Sequence, residues 1–305
     1  MTTTTQERNM KTGIIVFSEG KWQGRDEQGR ILLTSVDQDR VRRVLMKKHE
    51  CTNVQILDQA QSEAAETQSQ WPINQRFDFL SQLVRMVGQG NAVSLIVTGP
   101  GGLGKTHTVR EGLLACGLKE ATVDGVNGEG TFKIIKGYST AKGLYRELYQ
   151  NQDSVLVFDD CDDVLKDPTA LNLLKGALDS YDKRIISWNA DMRDDDLERS
   201  FQFNGRVIFI SNLNRDRMDT ALKTRAYCVD LAMSLSQKIE RMQVLAASDD
   251  FMPRARREHK ADALALIQEL GPRCREVSLR TLQAVTRIRA AGGAWRELAE
   301  YTLTN

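Results

Sequence analysis

The spacing of apolar residues changes twice along the chain. In the first part, "GIIVFSEG" and "GRILLTS" alternate as strands around the polar, glycine-containing "KWQGRDEQG". "SVDQDRVRRVLMKK" then puts Val41, Val44 and Leu45 on one face of a helical period, with Ser35 and Gln38 at capping-box spacing. "NVQIL" reads as a further short strand. Residues 58–72 are polar, poor in bulky apolar side chains and closed by Pro72, the pattern of a linker.

From Ile73 to Asp230 the period alternates between helix and strand. "QRFDFLSQLVRMV" spaces Phe77, Leu80, Leu83, Val84 and Val87 as a helix. Short apolar runs follow at "VSLIVT", "FKIIKG", "SVLVFDD", "GRVIFISN" and "AYCVDL", most of them separated by helical stretches. Strands this short and continuously apolar belong to a parallel sheet covered on both faces. From Ala232 the pattern is helical throughout. Ser234 and Gln237 form a capping box, "ADALALIQEL" stops at Gly271-Pro272, and "VSLRTLQAVTRIRA" stops at Gly292-Gly293 before "AWRELAEYTL". The predicted layout is a small α+β unit (1–57), a linker (58–72), an α/β domain (73–230) and a small all-α domain (231–305).

Composition narrows the classes. The 305 residues are 27% charged with a formal net charge of +1, so total charge does not mark a nucleic-acid binder, though a local basic groove fits within a neutral total. One basic helix face, Arg40, Arg42, Arg43, Lys47 and Lys48, is diluted by Asp37, Asp39 and Glu50, and a solvated face is its plainer reading. The five cysteines are widely spaced without a C-x-x-C pair, and the three histidines are scattered; both facts argue against a disulfide framework or a zinc site. The N-terminal "MTTTTQERNMKTG" has no apolar core of a signal peptide, and no run approaches a membrane span. The expectation is a reduced, cytoplasmic protein with no membrane partner.

The chemistry begins at "GPGGLGKTHT". Gly99, Gly104, Lys105 and Thr106 satisfy G-x-x-x-x-G-K-[ST] between a hydrophobic strand and a helix. Glycines let backbone N–H groups turn toward phosphates, Lys105 places a charge at the β- and γ-phosphates, and the Thr106 hydroxyl can ligate Mg²⁺. The following helix aims its positive end at the same place. Gly99, Pro100, Gly101, Gly102, Leu103, Gly104, Lys105, Thr106 and His107 are therefore the expected nucleotide-binding residues, with ATP and Mg²⁺ as cofactors. "SVLVFDD" ends in Asp159, expected to hold Mg²⁺ through water, and Asp160, expected to orient or deprotonate the attacking water. The separation of Lys105 from Asp159 predicts an acidic strand lying beside the phosphate-loop strand. Asp162 and Asp163 read as ordinary cap residues or solvated charge.

In their order over residues 73–305, these motifs resemble the AAA+ ATPases. "GPGGLGKT" looks like Walker A and "VLVFDD" like Walker B. "VIFISN" is similar to the sensor-1 strand, with Asn212 at its tip. "DTALKTRAYCVDL" resembles the arginine-finger segment, with Arg225 in place and Arg215 and Arg217 as rivals. "VSLRTL" is similar to the start of the sensor-2 helix, with Arg280 as its arginine. The resemblance implies a P-loop AAA+ core with a helical lid. It implies that Asn212 positions water at the γ-phosphate, that Arg225 acts in a neighbouring subunit, and that Arg280 couples the lid to the nucleotide. Asp160, Asn212, Arg225 and Arg280 are then the catalytic set. A ring or helical homo-oligomer, hexamer favoured, would act on DNA or a protein target.

The chain is also similar to AAA+ ATPases of tailed phages and mobile elements, which would place it in the host cytoplasm. The family's usual second Walker B acid is Glu. Asp160 is one methylene shorter, which implies slow hydrolysis and leaves a second class open, an ATP-binding assembly or structural protein. Before the sensor-1 strand, "RIISW" and "SFQF" can pair as a hairpin with the acidic tip "NADMRDDDLE", which does not attract phosphate backbone. Lys183, Arg184 and Trp188 at its base are candidate nucleic-acid contacts.

Overall fold

The computed structural model describes residues 12–18, 21–26, 30–35, 38–49, 51, 53–57, 69–121, 128–137, 140–181, 183–188 and 197–305. The chain divides into two compact units, Met1–Ser69 and Gln70–Asn305. Most of the polar segment that reads as a linker, residues 58–68, lies outside the described residues.

In the first unit, β1 (Thr12–Ser18), β2 (Lys21–Arg25), β3 (Ile31–Ser35) and β4 (Asn53–Leu57) form one sheet in the order β3-β2-β1-β4, with α1 (Gln38–Lys48) against it. Strand β2 falls in the stretch expected to be a polar connection. Its inward positions are Trp22 and Gly24, and of the two only the tryptophan carries an apolar signal. At Gly24 the absent side chain admits Leu33, Val41 and Leu45; a Cβ there would lie 2.6 Å from Leu33. Ile15, Val41, Leu45 and Cys51 are the core. Ser35 ends β3 opposite Trp22, and α1 starts at Gln38. The basic residues of α1 lie on its exposed side.

The second unit is a mixed α/β fold around six parallel strands flanked by helices. Its strands are β5 (Ser94–Thr98), β6 (Lys119–Glu120), β7 (Thr131–Lys136), β8 (Val155–Asp159), β11 (Arg206–Ile210) and β12 (Tyr227–Asp230), in the order β12-β5-β11-β8-β7-β6. Every residue of β5 and β8 is buried, as a sheet covered on both faces requires. One face packs against α2 (Ile73–Gly88) and α3 (Lys105–Ala115) through Phe77, Leu80, Val84, Val109 and Leu113. The other packs against α4 (Ala141–Gln150) and α5 (Pro168–Ala177) through Leu144, Tyr145, Leu148, Leu173 and Leu174. Each fully buried Leu or Phe of these clusters contributes about 1.5–3 kcal/mol.

Local chemistry sets the helix starts. Thr140 caps α4 by accepting from Gly143 N–H. Asp167 caps α5 by accepting from Thr169 and Ala170, with Pro168 at the first helical position. Asp219 caps the short α6 (Thr220–Lys223) in the same way. The capping box at Ser234 and Gln237 forms at the head of α7 (Leu235–Ala247).

Three further helices, α8 (Arg257–Leu270), α9 (Leu279–Ala291) and α10 (Trp295–Thr304), pack with α7 around Met242, Leu266, Ile267, Leu282 and Val285. This helical part is tied to the sheet by Arg76, which is buried and donates to the carbonyls of Asp230 (3.1 Å) and Ala232 (2.7 Å) and to the Gln237 amide oxygen (3.3 Å). Arg241 stacks over the Phe77 ring, 3.9 Å from its centroid. Among the described residues no helix is long and apolar enough to cross a membrane.

β9 (Ile185–Ser187) and β10 (Ser200–Gln202) pair antiparallel, with Phe201 opposite Ile186, so the two segments before β11 form the arms of a hairpin. Its tip, residues 189–196, lies outside the described residues. The expectation that Arg184 contacts nucleic acid is corrected. Its guanidinium is buried, donates to Ala177 O (2.7 Å) and Gly205 O (2.5 Å) and stacks on Phe203, so it ties α5 to the sheet. Trp188 packs against Tyr145, and Lys183 is exposed.

Candidate nucleotide site

The candidate site lies at the carboxyl ends of β5, β11 and β8, where open α/β sheets bind ligands. The loop after β5 turns back through Gly99 and enters α3 at Lys105. Gly99 has φ 129°, and a Cβ there would stand 2.7 Å from the Leu231 carbonyl carbon, so only glycine fits. Leu103 is buried and anchors the loop, whereas His107 is exposed on the first turn of α3.

One expectation about the sheet is corrected. The acidic strand β8 is not beside β5; β11 lies between them, paired in parallel with both. The separation in sequence between Lys105 and Asp159 admits either order. The consequence is chemical, because the tip of the intervening strand, Asn212, stands between the loop and the acids.

The side chains at this place form one network. Lys105 Nζ donates to Gly99 O (2.5 Å), Pro100 O (2.8 Å) and Asn212 Oδ1 (2.9 Å). Asn212 Nδ2 donates to Asp160 Oδ1 at 2.5 Å. The Thr106 hydroxyl is 3.0 Å from both carboxylate oxygens of Asp159. Lys136, at the end of β7, stands 3.4 Å from Asp159 Oδ2. Asp159 is buried, and Asp160 is exposed with φ 56°. A left-handed backbone at a non-glycine residue carries strain on the order of 1–3 kcal/mol and is enriched at functional sites.

Burial lowers the Lys105 pKa to about 8, against the opposing pull of Asp160, Asp159 and Asp162. Below that pH the ammonium is charged before any anion arrives. Above it, a bound polyphosphate must draw a proton onto Lys105. ATP affinity is therefore expected to fall as pH rises through about 8. Calorimetry at pH near 8.5 in buffers of different ionisation heat is expected to register proton uptake on binding; an enthalpy that does not vary with buffer contradicts this.

The other expected residues lie outside the network. Arg225 precedes β12, and its carbonyl accepts from Ser94 Oγ at the start of β5, the opposite end of the sheet from the loop. A five-residue strand separates the two, on the order of 15 Å. The Arg225 guanidinium is 3.3 Å from Asp179 and donates to Ala221 O. Arg280 is exposed on the first turn of α9. That helix begins on the phosphate loop itself, because Leu279 N–H donates to Gly102 O at 2.8 Å and Ser278 caps the helix. Among the described residues, the Arg280 side chain has no hydrogen bond or ion pair. Arg215 and Arg217 are exposed in a short 3-10 helix shortly after Asn212.

The sequence reading missed two participants. Lys136 was signalled only by an apolar strand ending in a cation. Asp162, read as a cap or solvated charge, instead accepts the Asn212 backbone N–H through Oδ2 at 3.1 Å. That contact depends on strand order and has no local pattern. Asp163 does pair with Lys166 at the surface.

The donor set suits a small hard cation. A hydroxyl and a carboxylate lie together, with nucleotide phosphates left to complete the shell, as Mg²⁺ prefers. Among the described residues no group of three or more His, Cys, Asp or Glu could hold a metal ion.

No protein-family model matches the chain. Among solved structures it is similar to NtrX from Brucella abortus in complex with ADP, at 15% identity and TM-score 0.43 over 82% of this chain, and it spans 58% of that chain. It is similar also to C. elegans PCH-2, at 14% identity and TM-score 0.33, covering 76% of this chain and 68% of the other. In sequence it is 32% identical over 248 residues to the uncharacterized 36.7 kDa protein in the nrdC-mobD intergenic region of Enterobacteria phage T4, a match that takes in 74% of this chain and 73% of the relative. With that identity over most of both chains, the protein belongs to the family of this phage T4 protein.

Proposed function

We propose that this chain is a phage-encoded AAA+ ATPase. It binds ATP with Mg²⁺ at Gly99–Thr106, hydrolyses it between subunits of a ring or helical homo-oligomer, and moves or remodels a DNA or protein target in phage or mobile-element DNA metabolism. The observation that carries the reading is the convergence of Lys105, Asn212 and Asp160 in one hydrogen-bonded chain, with Thr106 on Asp159 beside it. Lys105 and the loop N–H groups bind the phosphates. Thr106 and Asp159 would hold Mg²⁺, which withdraws charge from the phosphate oxygens when bound. Asp160 accepts the proton of the attacking water, and Asn212 orients that water. Arg225 lies a strand's length from the loop of its own subunit, which favours service to a neighbour's site.

Asp160 also favours a second reading, an ATP-binding assembly or structural protein with little hydrolysis. Its side chain is short and already engaged by Asn212 at 2.5 Å.

Single-turnover ATP hydrolysis across a range of protein concentrations separates the two. A shared-site ATPase is expected to raise its rate per subunit with concentration, and Arg225→Ala to lower it by roughly 10³-fold, as trans-acting arginines do. Arg225→Lys retains a cation for Asp179 and controls for the loss of that ion pair. A rate per subunit that is flat with concentration and survives Arg225→Ala sinks the shared site. Binding without turnover at any concentration supports the second reading.

A further inference from the structure

Beyond β8 the parallel ladder loses its partner. The register of β11 with β8 ends at the pair Ile210–Asp159, and the next residue, Asp160, turns the backbone into the left-handed region. On the β5 side the tip of β11 is secured, with Ser211 N–H donating to Val97 O at 2.8 Å. Two residues on, Leu213 N–H is taken by Ser211 Oγ at 3.0 Å. The N–H between them belongs to Asn212, and it meets the Asp162 carboxylate at 3.1 Å. The other oxygen of that carboxylate, Oδ1, is buried and has no hydrogen-bond partner among the described residues. A half-satisfied carboxylate beside the site is costly to keep, and its one bond goes to the residue whose side chain joins Lys105 to Asp160.

We propose that Asp162 is a positioning residue of the nucleotide site: it replaces the missing strand acceptor and holds the Asn212 amide at the height where it reaches both the phosphate-binding lysine and the acid. The role rests on the reading of Asn212 as the residue at the γ-phosphate. Without the carboxylate, the Asn212 N–H has no acceptor on the β8 side. The tip then rotates, and the amide loses its alignment with Lys105 and Asp160 together. A misplacement on the order of 1 Å at such a group costs about 10²-fold in rate at worst. The phosphate loop is built independently, from β5 and α3, so binding of the α- and β-phosphates is retained.

Three measurements on the full chain test this in wild type, Asp162→Ala and Asp162→Asn. Amide hydrogen exchange over the peptide containing Ser211–Leu213 reports the tip itself. The ratio of ATP to ADP affinity, read with a fluorescent nucleotide, reports the γ-phosphate. The single-turnover rate reports the chemistry. Asp162→Ala is expected to speed exchange at the tip, lower the ATP-to-ADP ratio about tenfold and slow turnover about tenfold, with ADP affinity within about twofold of wild type. Asp162→Asn keeps an acceptor oxygen of the same shape and is expected to restore each to within about threefold.

The proposal is overturned if Asp162→Ala leaves tip exchange and the ATP-to-ADP ratio unchanged. It is also overturned if ADP affinity falls equally with ATP affinity and Asp162→Asn fails to rescue, which marks a general folding role. Wild-type protein that binds but never cleaves ATP contradicts the ATPase reading alone, because exchange and the affinity ratio still judge Asp162.

Discussion

Lys105→Ala is expected to abolish useful nucleotide binding, lowering ATP affinity by about 100-fold or more, while the protein stays folded. Hydrogen bonds to charged groups contribute roughly 1.5–3 kcal/mol each, and two such contacts to phosphate correspond to at least two powers of ten. The fold tolerates the loss because Lys105 is held at a cost. Burial lowers its pKa to about 8, so its charge is poorly solvated where it stands. Its removal strands the carbonyls of Gly99 and Pro100, which offsets the relief from desolvation. Thermal denaturation checks both parts at once. The midpoint without nucleotide is expected to move by no more than a few degrees, and the upward shift that ATP gives the wild type is expected to vanish. An Lys105→Ala protein that ATP still stabilises contradicts the assignment of the loop.

Asp160→Asn is expected to separate binding from cleavage. The amide is isosteric, tolerates the left-handed backbone as Asp does, and cannot accept the proton of an attacking water. ATP affinity should remain within a few-fold of wild type, while the single-turnover rate falls by about 10²–10⁴-fold, the usual worth of a general base. Asn212 would then face an amide across the 2.5 Å contact and lose a charge-assisted bond. An unchanged rate would move the base elsewhere and favour the assembly-protein reading.

Much of this site is legible in the sequence, for a physical reason. Phosphate binding by a loop is a local property. Gly99 to Thr106 are contiguous, and the flanking strand and helix announce themselves by apolar period. Strand-end acids are visible for the same reason, as are Ser234 with Gln237, whose capping box is closed by residues three apart. β2 was hidden because its inward positions are Trp22 and Gly24, and a glycine that makes room for Leu33 and Val41 leaves no apolar mark. Arg184 looked like a surface cation beside a hairpin; its burial depends on two carbonyls, Ala177 O and Gly205 O, that meet only when α5 and the sheet pack together.

The sequence alone determined the glycine-rich loop between β5 and α3, the acids at the end of β8, the alternation that makes a parallel sheet, and the helical composition of the last part. Each of these depends on neighbours along the chain. The tertiary structure alone decided that β11 enters between β5 and β8. It thereby decided that Asn212 joins Lys105 to Asp160, that Asp162 holds the Asn212 backbone, and that α9 starts against Gly102. Spacing along a chain fixes how many elements fit between two motifs. Which element lies between them in space is set by the packing of buried faces, and no local period records it.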